Sequence, residues 1–167
     1  YSFDAPGAQI LLCVENDAEG GKSIIVDGYK IAEQMKREHP DQYADLARLD
    51  VEGVYAGDGV ELRARRPTFR EDRQGNLEQV TFNNYDRSAL MYPEPDMSDF
   101  YKALQTFDSA LNDSANQWVH QLTVGQALVF DNWRVLHGRT AFSGPRKMTG
   151  AYTNREDLES RIRLLSV

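Results

Sequence analysis

Residues 8–14 are apolar on both faces apart from Gln9, the pattern of a buried strand. The stretch Asn16-Asp17-Ala18-Glu19-Gly20-Gly21 reads as a turn and residues 22–26 as a second strand, so the two are expected to pair as a hairpin. Residues 29–38 carry helical spacing, with Ile31, Ala32 and Met35 inward, and Pro40 ends the run. A second helix is expected over residues 40–49 with Tyr43, Leu46 and Ala47 inward; proline suits its first turn because the missing N–H has no partner there. Residues 50–72, interrupted by Gly53, Gly57, Gly59 and Pro67, read as irregular. Gln74-Gly75-Asn76 marks a turn before a strand at residues 77–83.

The clearest helix spans residues 96–112. Met97, Phe100, Tyr101, Leu104, Phe107 and Leu111 recur at helical spacing and form one apolar stripe, a packing surface. Residues 118–122 and 126–130 read as strands around Val124-Gly125, residues 147–152 as the last strand, and residues 156–165 as a terminal helix. Neither repeats nor a low-complexity linker interrupt the pattern. Many short strands with a few packing helices predict an α+β or barrel-like β architecture.

A chain of 167 residues can bury one sizeable core, which predicts one domain. Its net charge of −7 argues against nucleic acid, whose phosphates demand a basic surface. The cluster Arg63-Ala64-Arg65-Arg66 is too short to reverse that and suits a solvated loop or an anion contact. The single cysteine, Cys13, lies in the apolar run 10–14; it reads as a core residue and permits no disulfide within the chain, which fits a reducing compartment. No stretch approaches the ~18 apolar residues of a membrane span.

Candidate chemistry concentrates in Phe130-Asp131-Asn132-Trp133-Arg134-Val135-Leu136-His137-Gly138-Arg139. His137 arrives where the strand at 126–130 is expected to end, and Arg146 follows after a short loop. An imidazole and a guanidinium so placed suit a metal-bound oxyacid, the one ligating the metal and the other gripping a carboxylate with two hydrogen bonds. On chemistry alone a structural, hydrogen-bonded histidine fits as well.

This segment, with Arg146 and Gly150-Ala151-Tyr152, closely resembles the carboxy-terminal signature of the gamma-butyrobetaine and trimethyllysine dioxygenases. Gly20-Gly21-Lys22-Ser23 resembles that family's GG-x-S/T strand, Phe82-Asn83-Asn84-Tyr85-Asp86-Arg87 its substrate-facing segment, and Ser160-Arg161-Ile162-Arg163-Leu164-Leu165 its closing helix. The resemblances run in family order along essentially the whole chain. They imply the carboxy-terminal part of a double-stranded β-helix (jelly-roll) oxygenase with helices packed on one sheet. They also imply iron(II) as metal, 2-oxoglutarate and O2 as cosubstrates, and ascorbate as an optional reductant.

The residue roles follow by resemblance. His137 is the expected iron ligand. Arg146 and Ser23 are expected to hold the distal carboxylate of 2-oxoglutarate, Ser23 having the alternative of a strand serine bonded to backbone. Tyr152 is expected in an aromatic cage for a quaternary ammonium, with Tyr1 near it. Asn83 and Arg87 are expected at the substrate's anionic end, the alternative for Asn83-Asn84 being a turn. Arg134 and Arg139 are expected in ion pairs with Asp131 or the acidic loops, and Trp133 in packing. No general acid, base or nucleophile is assigned.

One departure is informative. The family's metal site needs His-x-Asp and a distant His, and the chain's histidines are His39, His120 and His137. His39-Pro40-Asp41 has the spacing but falls after a helix. The expectation is that residues 1–167 form the carboxy-terminal portion of one catalytic domain, starting just after His-x-Asp. The implied reaction is hydroxylation of a small trimethylammonium substrate of the carnitine pathway, trimethyllysine or gamma-butyrobetaine. A trimethylammonium-ethyl phosphonate, or a jelly-roll binding domain without catalysis, are the alternatives. No nucleic acid and no membrane are expected as partners. The expected assembly is a homodimer, in the cytoplasm or, for a eukaryotic enzyme of the trimethyllysine type, the mitochondrion.

Overall fold

The computed structural model describes Ser2 and residues 5–166; Tyr1 lies outside the described residues. In chain order the elements are β1 (Ala8–Asn16), β2 (Glu19–Gly20), β3 (Ser23–Asp27), α1 (Gly28–Glu38), α2 (Pro40–Arg48), β4 (Asp50–Gly57), β5 (Val60–Pro67), β6 (Phe69–Glu71) and β7 (Leu77–Val80). Then come α3 (Asp96–Asn112), β8 (Gln117–His120), β9 (Ala127–Asp131), β10 (Val135–Arg139), β11 (Phe142–Ser143), β12 (Arg146–Thr153) and α4 (Arg155–Leu165). No helix among the described residues is long and apolar enough to cross a membrane. Contacts divide the chain into two units, residues 27–116 with Ser2, and residues 5–26 with 117–166.

The first unit is built by helix packing. Asp27 caps α1, its Oδ1 accepting from the Tyr29 and Lys30 backbone N–H groups at 3.1 and 3.3 Å. Ile31, Ala32 and Met35 of α1, Tyr43 and Leu46 of α2, and Phe100, Leu104, Phe107 and Leu111 of α3 are buried, as their spacing predicts, whereas Ala47 and Met97 are half-buried and Tyr101, expected in the same stripe, is exposed. Phe69 of β6 stacks on Tyr43 at 5.1 Å and meets the Phe107 ring edge-on at 5.1 Å. Each such fully buried aromatic contributes on the order of 2–3 kcal/mol. At the rim, Glu71 Oε1 accepts from the Tyr43 hydroxyl at 2.7 Å and from Lys36 Nζ at 2.9 Å. These bonds from Tyr43 and Lys36 hold the Glu71 carboxyl below its ordinary pKa, and burial with the same contact raises that of Tyr43.

Residues 50–72 are not irregular. They form the hairpin β4–β5, in register from Asp50↔Pro67 to Gly57↔Val60, followed by β6. Asp58 and Gly59, both with positive φ (52° and 79°), make its two-residue turn. Of the glycines that read as breakers, Gly59 is in the turn and Gly53 and Gly57 lie on β4. Arg63 and Arg65, expected in a loop, lie on β5 and pair with Glu52 and Glu61.

In the second unit β12, β1 and β9 form one antiparallel sheet and β10, β3 and β8 another, while β2 pairs with β11. The expected hairpin of β1 with β3 is therefore absent: the chain between them crosses from one sheet to the other. β3 and β8 then pair in one sheet, and from β8 the chain passes to the other sheet at β9, back at β10 and across again at β12, the winding of a double-stranded β-helix. Beside β1, direct pairs are Gln9↔Tyr152, Leu11↔Gly150 and Cys13↔Met148 on one side and Gln9↔Phe130 and Leu11↔Leu128 on the other. Paired residues point to the same face, so Tyr152, Gln9 and Phe130 form one row across three strands. A bulge between Cys13 and Glu15 leaves Val14 extra, after which Asn16 pairs with Arg146.

Candidate active site

His137 lies in the middle of β10, not at the end of the preceding strand. The reason is local. Asp131 Oδ1 accepts from the Trp133 backbone N–H at 2.9 Å and the Asp131 carbonyl from that of Arg134, so β9 ends in a tight turn and a new strand begins. The His137 ring sits 4.9 Å from the Phe130 ring, tilted 46°. One side of the residue is open to solvent; burial on the other lowers the imidazole pKa below the ordinary histidine value. Neutral imidazole is the form that ligates a metal.

Arg146 opens β12. Counting by twos, Arg146, Met148, Gly150 and Tyr152 share one face of that strand, because the bulge is in β1 and leaves the alternation of β12 intact. The row Tyr152–Gln9–Phe130 then leads to His137. Arg146, Tyr152 and His137 thus belong to one side of the β12–β1–β9 sheet. Arg146 Nε is buried and has no hydrogen-bond partner among the described residues. A buried donor left unpaired costs about 1–3 kcal/mol, a cost that an incoming carboxylate removes.

Gly21 explains how Arg146 is seated. A Cβ on Gly21 would lie 3.1 Å from both Cδ and Nε of Arg146, and Gly21 has a φ of +68°. The glycine pair of the sequence motif thus leaves room for the guanidinium stem. Phe142 supports the other side, 5.6 Å from Arg146 Cζ and 4.5 Å from Arg139 Cζ. Ser23, two residues past Gly21, is buried at 6% exposure. Its strand β3 lies between β10 and β8.

Tyr152 is 62% exposed, and its hydroxyl accepts from Gln9 Nε2 at 3.4 Å. Both carboxylate oxygens of Asp131 accept from Arg155 Nη1 at 3.0 Å, a partner the sequence reading did not name. Arg155 also lies 4.8 Å from the Trp133 ring, confirming packing for that indole.

The sequence model of the taurine catabolism dioxygenase TauD, TfdA family matches residues 1–152. The chain belongs to this family. A trimethyllysine dioxygenase of Meyerozyma guilliermondii is 38% identical over 172 residues, covering all of this chain and 43% of the relative. A gamma-butyrobetaine dioxygenase of Pseudomonas sp. (strain AK-1) is 36% identical over 163 residues, covering 96% of this chain and 43% of the relative. Among solved structures, an asparagine oxygenase in complex with Fe(II), 2S,3S-3-hydroxyasparagine and succinate superposes with a TM-score of 0.71 at 18% identity, covering 92% of this chain and 47% of that one. The chain therefore has the TauD-like jelly-roll fold and spans less than half the length of these relatives.

Two further residues of interest to this TauD, TfdA family member fall in the unit 27–116. Asn83 Oδ1 accepts from the Tyr85 N–H at 2.9 Å and its Nδ2 donates to Asp86 Oδ2 at 2.6 Å, so its amide is engaged in an Asx turn. The Arg87 guanidinium lies 5.8 Å from the Tyr101 ring and lines an open pocket of about 230 Å³ with Phe82, Leu104 and Asp108. His39 separates α1 from α2 and ends α1, its N–H bonded to the Met35 carbonyl. Among the described residues no three His, Cys, Asp or Glu side chains cluster to hold a metal. His137 fits iron(II) as one ligand, not as a site by itself. Sequence reasoning passed over Gly21 as a seat, Phe142 as a support and Gln9 as a neighbour of Tyr152. The signal for Gln9 was present, as the one polar side chain of an apolar strand.

Proposed function

We propose that the protein carrying this chain is an iron(II)- and 2-oxoglutarate-dependent hydroxylase of a small trimethylammonium substrate, trimethyllysine or gamma-butyrobetaine, in the carnitine pathway. The observation that carries the reading is the buried, unpaired Nε of Arg146 on the same sheet face as the exposed ring of Tyr152 and the His137 end of its row. The names of the relatives point the same way.

The division of labour follows from side-chain chemistry. Arg146 takes the distal carboxylate of 2-oxoglutarate, its planar fork matching two oxygens, and the Ser23 hydroxyl adds a donor beside it. His137 gives a neutral nitrogen to the metal. Iron(II) bound with 2-oxoglutarate and O2 would supply the oxidising power there, with ascorbate as an optional reductant. Tyr152 offers a ring face to the quaternary ammonium, worth ~1–2 kcal/mol when the cation is desolvated. Asn83 and Arg87 are assigned to the anionic end, and Tyr1 to the cage, on the sequence resemblance alone. The reading includes a homodimer and a cytoplasmic or, in a eukaryote, mitochondrial compartment, which light scattering and cell fractionation test.

The test offers the intact protein trimethyllysine, gamma-butyrobetaine and trimethylammonium-ethyl phosphonate in parallel and follows succinate release. One of the first two is expected to drive it, and His137→Ala to abolish it. Turnover of the phosphonate alone would redirect the substrate. Succinate release with none of the three, alongside robust turnover of a taurine-like sulfonate, would sink the trimethylammonium reading.

A further inference from the structure

Gln9 is the buried polar group that the site described above leaves without a role. It is 5% exposed, in a strand whose neighbours Ile10, Leu11, Leu12 and Cys13 are apolar. A carboxamide in such a place needs hydrogen-bond partners, because an apolar side chain would fill the space without them. The partner Gln9 finds is the Tyr152 hydroxyl, directly across the ladder at 3.4 Å. On its other flank Gln9 pairs with Phe130, whose ring packs on His137. The amide thus stands between the aromatic ring at the solvent side and the aromatic ring beside the imidazole.

Tyr152 has few restraints of its own. With 62% of the residue exposed, its ring is free to change rotamer in water unless its tip is held. A cation bound over an aromatic face is attracted by the ring quadrupole, which falls away when the ring turns its edge to the charge. We infer that Gln9 is a positioning residue: through its hydrogen bond to the Tyr152 hydroxyl it fixes the ring in the orientation that presents its face to a quaternary ammonium. The inference rests on the trimethylammonium reading for its consequence, and on the Gln9–Tyr152 geometry for its substance. Gln9 itself touches neither metal nor substrate, so its loss weakens recognition and leaves the chemical step alone. Which end of the amide faces the hydroxyl is immaterial, since a phenol both donates and accepts.

The experiment uses the intact protein in four forms: wild type, Gln9→Met, Tyr152→Phe and the double variant. Methionine keeps length and bulk but makes no such bond; Tyr152→Phe breaks the same bond from the exposed side without altering the core. Succinate release is followed with the quaternary substrate and its neutral tert-butyl isostere. Each single variant is expected to raise KM for the quaternary substrate about three- to tenfold, the range for one hydrogen bond, with kcat within about twofold. The double variant should be no worse than either single one, since both remove one interaction. The neutral isostere should show little change. Multiplying effects of the two substitutions, or equal losses for the neutral isostere, would overturn the inference. A second readout does not depend on turnover. With 3-fluorotyrosine incorporated, the ¹⁹F resonance of Tyr152, assigned by its disappearance in Tyr152→Phe, should shift and narrow in Gln9→Met. A resonance that stays put rejects the tether whatever the substrate. Absent turnover in the wild type with a shifted resonance rejects the substrate reading and keeps the tether.

Discussion

The two units keep their polar and apolar groups very differently. Fourteen of the eighteen apolar side chains buried among the described residues belong to residues 27–116, and four to the other unit. In the first unit Glu71 serves both Tyr43 and Lys36 and Asn83 serves its own turn, while single side-chain oxygens of Gln42, Gln79 and Thr81 are buried without a hydrogen-bond partner among the described residues. In the second unit the polar groups of the candidate site are incompletely used. Arg146 Nε is buried without a hydrogen-bond partner among the described residues, and the Tyr152 hydroxyl meets Gln9 in one long hydrogen bond. What separates the units is the apolar core, concentrated in the first, and the motif residues His137 and Arg146, carried by the second.

The largest effect that would sharpen this contrast is in the helical unit. Phe107 is fully buried and meets Phe69 and Phe82 edge-on at 5.1 and 5.5 Å. Phe107→Ala is expected to lower unfolding free energy by about 3–5 kcal/mol in a denaturant titration. A loss below ~1 kcal/mol would mean that this unit is not held by its aromatic core.

Arg146 should behave in the opposite way. Arg146→Ala is expected to leave the denaturation midpoint near its wild-type value and to raise the requirement for 2-oxoglutarate, weakening its binding by about 2–3 kcal/mol, roughly a 30- to 150-fold higher half-saturating concentration. Gly21→Ala should weaken cosubstrate binding to a smaller degree, because the new methyl pushes on Cδ and Nε, and should also lower the denaturation midpoint, because alanine is strained at a φ of +68°. Destabilisation by Arg146→Ala without a change in cosubstrate response would erase the distinction between the units.

The smallest effect is a pH dependence. Hydrogen bonds from Tyr43 and Lys36 hold Glu71 below its ordinary pKa. A carboxyl whose folded pKa is depressed adds stability above its unfolded value, and that stability disappears as pH falls through the folded value. The stability gap between wild type and Glu71→Gln should therefore be present at neutral pH and close in acid. A gap that widens on acidification would contradict the contact.

How legible each unit was in the sequence follows the same divide. Helices α1, α2 and α3 announced their buried residues by spacing, because a helix packed on a core repeats its apolar positions every three to four residues. The hairpin β4–β5 was missed although Asp58-Gly59 is a turn signal, since four glycines and prolines masked the alternation of Val51, Gly53 and Tyr55. His137 and Arg146 were legible as chemistry from their motif, but not their setting. That β1 and β3 go to different sheets is a long-range fact that no local pattern contains. The orphaned Arg146 Nε and the Gln9–Tyr152 contact depend on pairing across 143 positions of sequence, which only the folded register brings together.

The bulge at Val14 has a bearing on how this chain tolerates changes in length. Nine residues of β1 run against eight of β12, and Val14 is the surplus. Deleting Val14 would let the ladder close flush while Gln9 still faces Tyr152 and Asn16 still faces Arg146. Deleting any residue from Ile10 to Cys13 would break that phase, exchanging inward and outward side chains over part of the strand. Length variation among descendants of this sequence should therefore gather at one position of β1 and spare the four before it.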